Sequence, residues 1–354
     1  MDLRKLSEEQ RNLELSEDIN KRIHMAVDWT KADELTERFW LQNLKQFWRD
    51  EEFVPAEDIK PYARLEKAQK WAFNHALGGL TLLDTKQANV GMPSISADYS
   101  ANEHLVRRSL LNFMGAMEGI HAKSYSTIFT TLLTKQEIAE VFDWVQENKF
   151  LQYKAELVQS YYDRPQTPYN NYMRKVASVF LESFLFYSGF YYPLYLAGGD
   201  PATMTNSAEI IALIIRDEAI HGAYIGMLAQ EEYALLTVEE REQADADMYE
   251  LLEKLMVNED FYTTDLYLEL GLDADVKRFL RYNANQALMN LGFEARYSEE
   301  ETTFSATVFN GIDTSTVAHD FFSQKGNGYF LGNLVPITDK AFEYEVEDEF
   351  YYGY

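Results

Sequence analysis

Three observations predict an all-α fold for this chain of 354 residues. Apolar residues recur near every 3.6 positions through most of its length, as a helix with one buried face requires. No stretch alternates apolar and polar residues for long enough to build a sheet. Proline and glycine interrupt the helical pattern at separated points, such as Pro55, Gly91 with Pro93, and the GGDP run at 198–201.

Residues 1–30 read as a polar N-terminal arm with a short helix. From Lys31 the spacing of Thr36, Phe39, Trp40, Leu44, Phe47 and Trp48 is helical, until Pro55 ends the segment. A second helix spans 62–90, with Leu77, Leu80, Leu83 and Asp84 toward its end, and Gly91 and Pro93 break it. A long third helix runs from about Asn102 to Leu133, shorter ones cover 135–148 and 149–162, and 163–170 (DRPQTPYN) is a loop. Helices resume at 171–197 and 204–231, and Thr237 precedes another, Glu-rich start. The stretch 265–293 holds two helices separated near Gly271. Beyond Gly292 the pattern fades into a loop-rich segment, and the last fourteen residues, AFEYEVEDEFYYGY, carry five acids and no Lys or Arg. The expected organisation is an arm (1–30), a helical bundle (31–292), and a loop-rich segment with a flexible, disordered C-terminal tail (293–354).

A net charge of −26 argues against nucleic acid as partner, because phosphate contacts need clustered Lys and Arg, and against an anionic membrane for the same reason. There is no cysteine, so disulfides, thiolate metal sites and cysteine nucleophiles are excluded, which fits a reducing, cytoplasmic setting. The longest uncharged run, 183–199, is shorter than the ~20 residues a membrane span needs and contains Pro193.

The chemistry is concentrated around 113–129, FMGAMEGIHAKSYSTIF. Glu118, His121 and Tyr125 stand at i, i+3 and i+7, within roughly 60° of one another on a helix. A second Glu-x-x-His pair, Glu218 and His221, follows the apolar run IIALII. A lone pair of this kind means little in a chain with 58 acids, where an exposed helix pair is the default. Here each pair has a companion acid one helix earlier, Asp84 in LTLLDT and Glu182 in FLESFLF, 34 and 36 residues upstream of its Glu. Acids set in such apolar sequence are costly unless partnered. Lone acid, ExxH, lone acid, ExxH on four helices is the pattern of a ferritin-like dimetal-carboxylate helical bundle, in which anionic oxygens bridge two cations and one imidazole binds each. Phe186, Phe190 and Ile214 stand four or eight residues from Glu182 and Glu218 and are expected to line an apolar sleeve above the metals, where a phenol at Tyr125 could hold a radical. His24, His75, His104 and His319 lack ligand spacing, and GNGYFLG (326–332) is not a dinucleotide fingerprint.

Seven ordered blocks between about 30 and 330 carry a wider resemblance: KQFW, LTLLDT, HAKSYS, VFLESFLFYSGF, IIRDEAIHG, RYNANQALMNLGF and HDFFSQKGNGY. With them the chain resembles the small, radical-generating β subunit of class I ribonucleotide reductase, most closely the class Ib branch. The resemblance implies metal ligands at Asp84, Glu118, His121, Glu182, Glu218 and His221, two metal ions of Mn or Fe, and a stable tyrosyl radical at Tyr125. It also implies an electron path from Trp48 through Asp217 to His121, and a tail tyrosine, Tyr329 or its competitor Tyr344, facing the large subunit. Asp217 directly precedes a ligand on its helix, which suits an acid that orients an imidazole. Substrate reduction in the family proceeds through cysteines, so a chain with none depends on the large α subunit for ribonucleotide reduction. A homodimer, and a flavodoxin-like activator of a manganese form, are further expectations from the resemblance. The alternatives are a ferritin-like dimetal ligand-binding oxidase and an iron store; neither has a use for Tyr125, Trp48 and Asp217 together.

Overall fold

A computed structural model describes Asp18, residues 26–99 and residues 104–313, and among these every regular element is helical. Helix α1 (Glu34–Lys45) begins where Asp33 Oδ1 accepts a hydrogen bond from the Thr36 backbone N–H at 2.9 Å. The short α2 (Ile59–Arg64) leads into α3 (Lys67–Lys86), which continues through a π turn, Gln87–Gly91, into α4 (Met92–Ala97). Next come α5 (Leu105–Leu132), α6 (Lys135–Glu147) and α7 (Lys149–Tyr162). Thr134 and Glu137 close a reciprocal capping box at the start of α6. Helix α8 (Pro168–Phe180) passes through a second π turn, Leu181–Leu185, into α9 (Tyr187–Ala197). The long α10 (Thr205–Leu235) and α11 (Val238–Tyr267) precede α12 (Asp273–Asn290), α13 (Glu299–Thr302) and α14 (Ala306–Asp313).

Several element boundaries differ from expectation. The helical segment expected to run to Pro55 ends at Lys45, so Trp48 lies outside a helix, and the single helix expected over 62–90 is interrupted before Lys67 and passes into a π turn at Gln87. The helix expected from 171 starts at Pro168, because a proline in the first turn lacks only an N–H that would be unpaired there anyway, and Thr167 caps it. Residues beyond Gly292 include two helices, and α14 packs against α9 and α10. Glycine makes that approach possible. A Cβ at Gly198 would lie 1.8 Å from the Thr307 carbonyl oxygen, and one at Gly311 would lie 2.1 Å from that of Leu194. Eight residues are too few for a periodic signal, so the helix is invisible in sequence.

The interior is formed where α3, α5, α8, α9, α10 and α12 meet, with α8 against α10 and α3 against α5. Phe186, Phe190 and Ile214 are fully buried, with the two phenyl centroids 6.0 Å apart. Each such side chain contributes about 1.5–3 kcal/mol by leaving water. That apolar stabilisation offsets the cost of the charged groups enclosed among them. No helix among the described residues is long and apolar enough to cross a membrane.

Candidate metal centre

Four helical segments each deliver a carboxylate to one enclosed point. Asp84 comes from α3, Glu118 from α5, Glu182 from the π turn after α8, and Glu218 from α10. His121 and His221 stand one turn beyond Glu118 and Glu218, on the same faces. All six side chains are fully buried. Ligand atoms of Asp84, Glu118, His121 and Glu218 all lie within 4.8 Å of one another, and so do those of Glu118, Glu182, Glu218 and His221. Glu118 and Glu218 belong to both groups, which is the geometry of two carboxylates able to bridge two cations.

The approach distances point inward. His121 Nδ1 lies 2.8 Å from Glu218 Oε1 and 3.5 Å from Asp84 Oδ1; His221 Nδ1 lies 2.6 Å from Glu118 Oε1 and 3.3 Å from Glu218 Oε2. Even so, neither Nδ1 has a hydrogen-bond partner of acceptable geometry, nor do both oxygens of Asp84, Glu118 and Glu218, nor Glu182 Oε2. Lone pairs that converge without bonding each other fit cations between them. Enclosing a charged carboxylate costs several kcal/mol even after relaxation, so orphaned acids at this density require compensation. Two divalent cations match the four negative charges. The donor set of oxygens and imidazole nitrogens, with no sulfur, suits Mn or Fe.

Electrostatics of the metal-free cluster agree. Burial first, then Glu218 and Glu118, push Asp84 well above the usual carboxylate range, and burial with Glu118 and Glu218 does the same to Glu182. Burial alone would depress the two imidazoles. The surrounding acids outweigh it, led by Glu218 at His121 and by Glu118 at His221, and hold both well above the ordinary histidine value. Glu218 goes the other way: although burial raises it, the neighbouring His121 outweighs that and holds its carboxyl well below the usual range.

Tyr125 is fully buried one turn beyond His121 on α5, and its hydroxyl has no hydrogen-bond partner among the described residues. Burial, reinforced by Asp84, Glu218 and Glu118, raises its pKa well above that of a free phenol. Oxidation of this side chain therefore has to remove a proton together with an electron.

Outside His121 the expected chain of contacts is present. Asp217 Oδ2 accepts from Trp48 Nε1 at 2.7 Å and stands 3.1 Å from His121 Nε2, and the Trp48 and His121 rings stack with centroids 6.0 Å apart. Asp217 thereby directs His121 Nδ1 toward the cluster. Two contributors carry no signal in the sequence. Gln46 Nε2 donates to Asp217 Oδ1 at 2.7 Å, and Gln87 Nε2 donates to Glu182 Oε1 at 2.5 Å. Neither stands at ligand spacing; KQFW as a block is the only hint of Gln46. His75 is held by the Trp71 carbonyl and the Trp71 ring, and His104 packs edge-on to Tyr99, so neither approaches the cluster. Tyr329, Tyr344, His24, His319 and the acidic terminus lie outside the described residues.

Comparison with known proteins agrees with this geometry. The family described as "Ribonucleotide reductase, small chain" matches residues 17–303. The ribonucleoside-diphosphate reductase subunit beta of Bacillus subtilis (strain 168) is 47% identical over 332 residues, covering 93% of this chain and 99% of the relative. The nrdF2 subunit beta of Mycobacterium tuberculosis is 43% identical over 321 residues, covering 90% of this chain and 96% of the relative. Among solved structures, Streptococcus sanguinis dimanganese(II)-NrdF superposes with a TM-score of 0.75 at 41% identity, over 82% of this chain and 99% of that one. These likenesses leave the ferritin-like ligand-binding oxidase without support. The chain belongs to the ribonucleotide reductase small-chain family, whose members are the radical-generating β subunits of ribonucleoside-diphosphate reductase.

Proposed function

We propose that Tyr125 carries the stable radical of this β subunit, beside a pair of metal ions held by Asp84, Glu118, His121, Glu182, Glu218 and His221. The observation that carries the reading is the pairing of two buried ligand groups sharing Glu118 and Glu218 with a buried, unpartnered phenol on the same helix. When bound, the metal pair supplies one-electron oxidising power. Glu118 and Glu218, common to both ligand groups, would hold such ions together with Asp84 and His121 in one group and Glu182 and His221 in the other. Tyr125 gives up one electron together with its hydroxyl proton, which burial keeps on the phenol until then. The apolar sleeve of Phe186, Phe190 and Ile214 excludes water and reductants from the oxidised side chain.

Trp48, Asp217 and His121 form the exit for the radical, with Tyr329 continuing it toward the large subunit. Within this reading, 31–292 is the radical-generating bundle, 1–30 an arm, and 293–354 the segment that reaches the large subunit. The chain works as a homodimer in the cytoplasm. The dimanganese relative supports manganese as the native metal, and a flavodoxin-like protein is the accompanying activator.

Electron paramagnetic resonance of metal-loaded, oxidised protein tests the centre of the proposal. Tyr125→Phe should lose the tyrosyl signal while elemental analysis still finds two metals per chain; an unchanged radical signal removes Tyr125 from the mechanism. Truncation after Gly328 should abolish turnover with the large subunit and leave the radical intact.

A further inference from the structure

The four acids of the cluster are not equivalent. Among the described residues, seven of their eight carboxylate oxygens have no hydrogen-bond partner; the exception is Glu182 Oε1, which accepts from Gln87 Nε2 at 2.5 Å. Gln87 is itself fully buried and held from two other sides. Its Nε2 also donates to Ser178 Oγ at 2.8 Å, and its Oε1 accepts from the Tyr162 hydroxyl at 2.7 Å. Burial keeps the Tyr162 phenol protonated by pushing its pKa up, so it remains a donor. The amide is therefore oriented one way: reversed, its carbonyl would face the Glu182 carboxylate.

Local backbone structure is built around this contact. Gln87 opens the π turn Gln87–Gly91, and Glu182 lies in the π turn Leu181–Leu185. Gly91 leaves space for the amide, since a Cβ there would lie 2.0 Å from Gln87 Oε1 and 3.0 Å from Tyr162 Cε2. Thus α7, α8 and the segment after α3 each contribute a group to the arrangement.

We propose that Gln87 is a positioning residue for the metal site of Glu182 and His221, committing Glu182 to bind through Oε2 alone. A neutral donor suits this role. It occupies one oxygen without cancelling the charge, whereas a lysine or arginine would compete with the cation. The two halves of the centre are then held differently, one imidazole by the anionic Asp217 and the opposite carboxylate by a neutral amide. This inference rests on Glu182 being a ligand.

The test is Mn(II) binding to the metal-free, full-length protein, followed by the signal of free Mn(II) in electron paramagnetic resonance, for wild type, Gln87→Met, Tyr162→Phe, Gly91→Ala and Glu182→Ala. Gln87→Met should keep one ion at wild-type affinity and weaken the other about 10–100-fold, the usual effect of removing an outer partner of a ligand. Tyr162→Phe and Gly91→Ala should weaken the same ion to a lesser degree. Two ions at wild-type affinity in Gln87→Met overturn the proposal, and so does equal weakening of both, which marks general loosening. If Gln87→Met does not fold by circular dichroism, Tyr162→Phe decides, and unchanged binding in it overturns the proposal. Glu182→Ala separates the two levels. Two ions retained there refute the ligand reading, whereas one ion lost there with none weakened in Gln87→Met refutes only the role of Gln87.

Discussion

Replacing Asp217 by Asn changes one atom and removes one charge, at a position only 1% exposed. The carboxylate accepts three contacts: from Gln46 at 2.7 Å on Oδ1, and on Oδ2 from Trp48 at 2.7 Å and from His121 at 3.1 Å. An asparagine offers one acceptor and one donor group. If its oxygen takes the Oδ2 position, Trp48 and His121 keep an acceptor and the Gln46 amide meets another N–H. If it takes the Oδ1 position, both Trp48 and His121 face a donor. The first arrangement is the cheaper. Hydrogen bonds to a charged group contribute about 1.5–3 kcal/mol and neutral ones about 0.5–1.5, so weakening two and losing a third costs about 3–5 kcal/mol.

Urea denaturation of the metal-free protein measures that loss, and a difference below about 1 kcal/mol contradicts the energetic argument. The functional consequence is separable, because all six proposed ligands and Tyr125 remain. Metal-loaded Asp217→Asn should still develop the tyrosyl signal, yet fail to sustain turnover with the large subunit, since the acceptor shared by Trp48 and His121 has lost its charge. Wild-type turnover in this variant would refute Asp217 as part of the exit.

Other consequences are measurable. Glu118 belongs to both ligand groups, so Glu118→Ala should deplete both metals by elemental analysis, whereas Asp84→Ala should retain one; near-full occupancy in Glu118→Ala contradicts the ligand set. Away from the centre, Lys154 Nζ bonds Glu259 Oε1 at 2.6 Å with both groups buried. Lys154→Met strands the acid and should cost about 3–5 kcal/mol in urea melts, while Lys154→Met with Glu259→Leu should recover most of it. The pH dependence has a defined sign. Burial raises the Glu259 pKa in the folded chain above its unfolded value, so its stabilising contribution is present at low pH and lost as pH rises through the folded value. The deficit of Lys154→Met relative to wild type should therefore shrink as pH falls from neutrality through the folded Glu259 value, and a deficit that grows over that window would contradict the assignment.

What could be read in the sequence and what could not divide along physical lines. Glu118 with His121, and Glu218 with His221, are legible because helical spacing puts them on one face, and Asp84 and Glu182 because acids in apolar runs demand partners. Asp217 stands out by adjacency to a ligand. Gln46, Gln87, Ser178 and Tyr162 have no such mark: they are neutral, common on surfaces, and meet partners 75 to 171 residues away. The π turns are equally hidden. Each is only five residues long, Gln87–Gly91 and Leu181–Leu185, too short for the one-residue shift in helical phase to stand out from the flanking pattern. Helix α14 escapes a sequence reading because its evidence is a close approach of Gly198 and Gly311, which only packing reveals.

The outer contacts give the centre a direction. A ring of four acids and two histidines is nearly symmetric in sequence, with each pair preceded by its lone acid. Symmetry ends at the next layer. His121 Nε2 faces Asp217 and, through it, Trp48; His221 Nε2 is buried with no hydrogen-bond partner among the described residues. Asp217 thus stands behind one imidazole with Trp48 on its far side, and a carboxylate there would lower the energy of a positive hole on Trp48. Tyr125 shares its helix with His121, and the acids acting on it are Asp84, Glu218 and Glu118. The phenol and the charged exit therefore belong to the same half of the centre. If Tyr125 carries the radical as proposed, an oxidising equivalent leaving it would meet an electrostatically favoured route on that side, while the opposite side offers a neutral amide. On the proposed reading, direction would be set by which imidazole has an acid behind it, and that depends on one residue, Asp217, placed just before the proposed ligand Glu218.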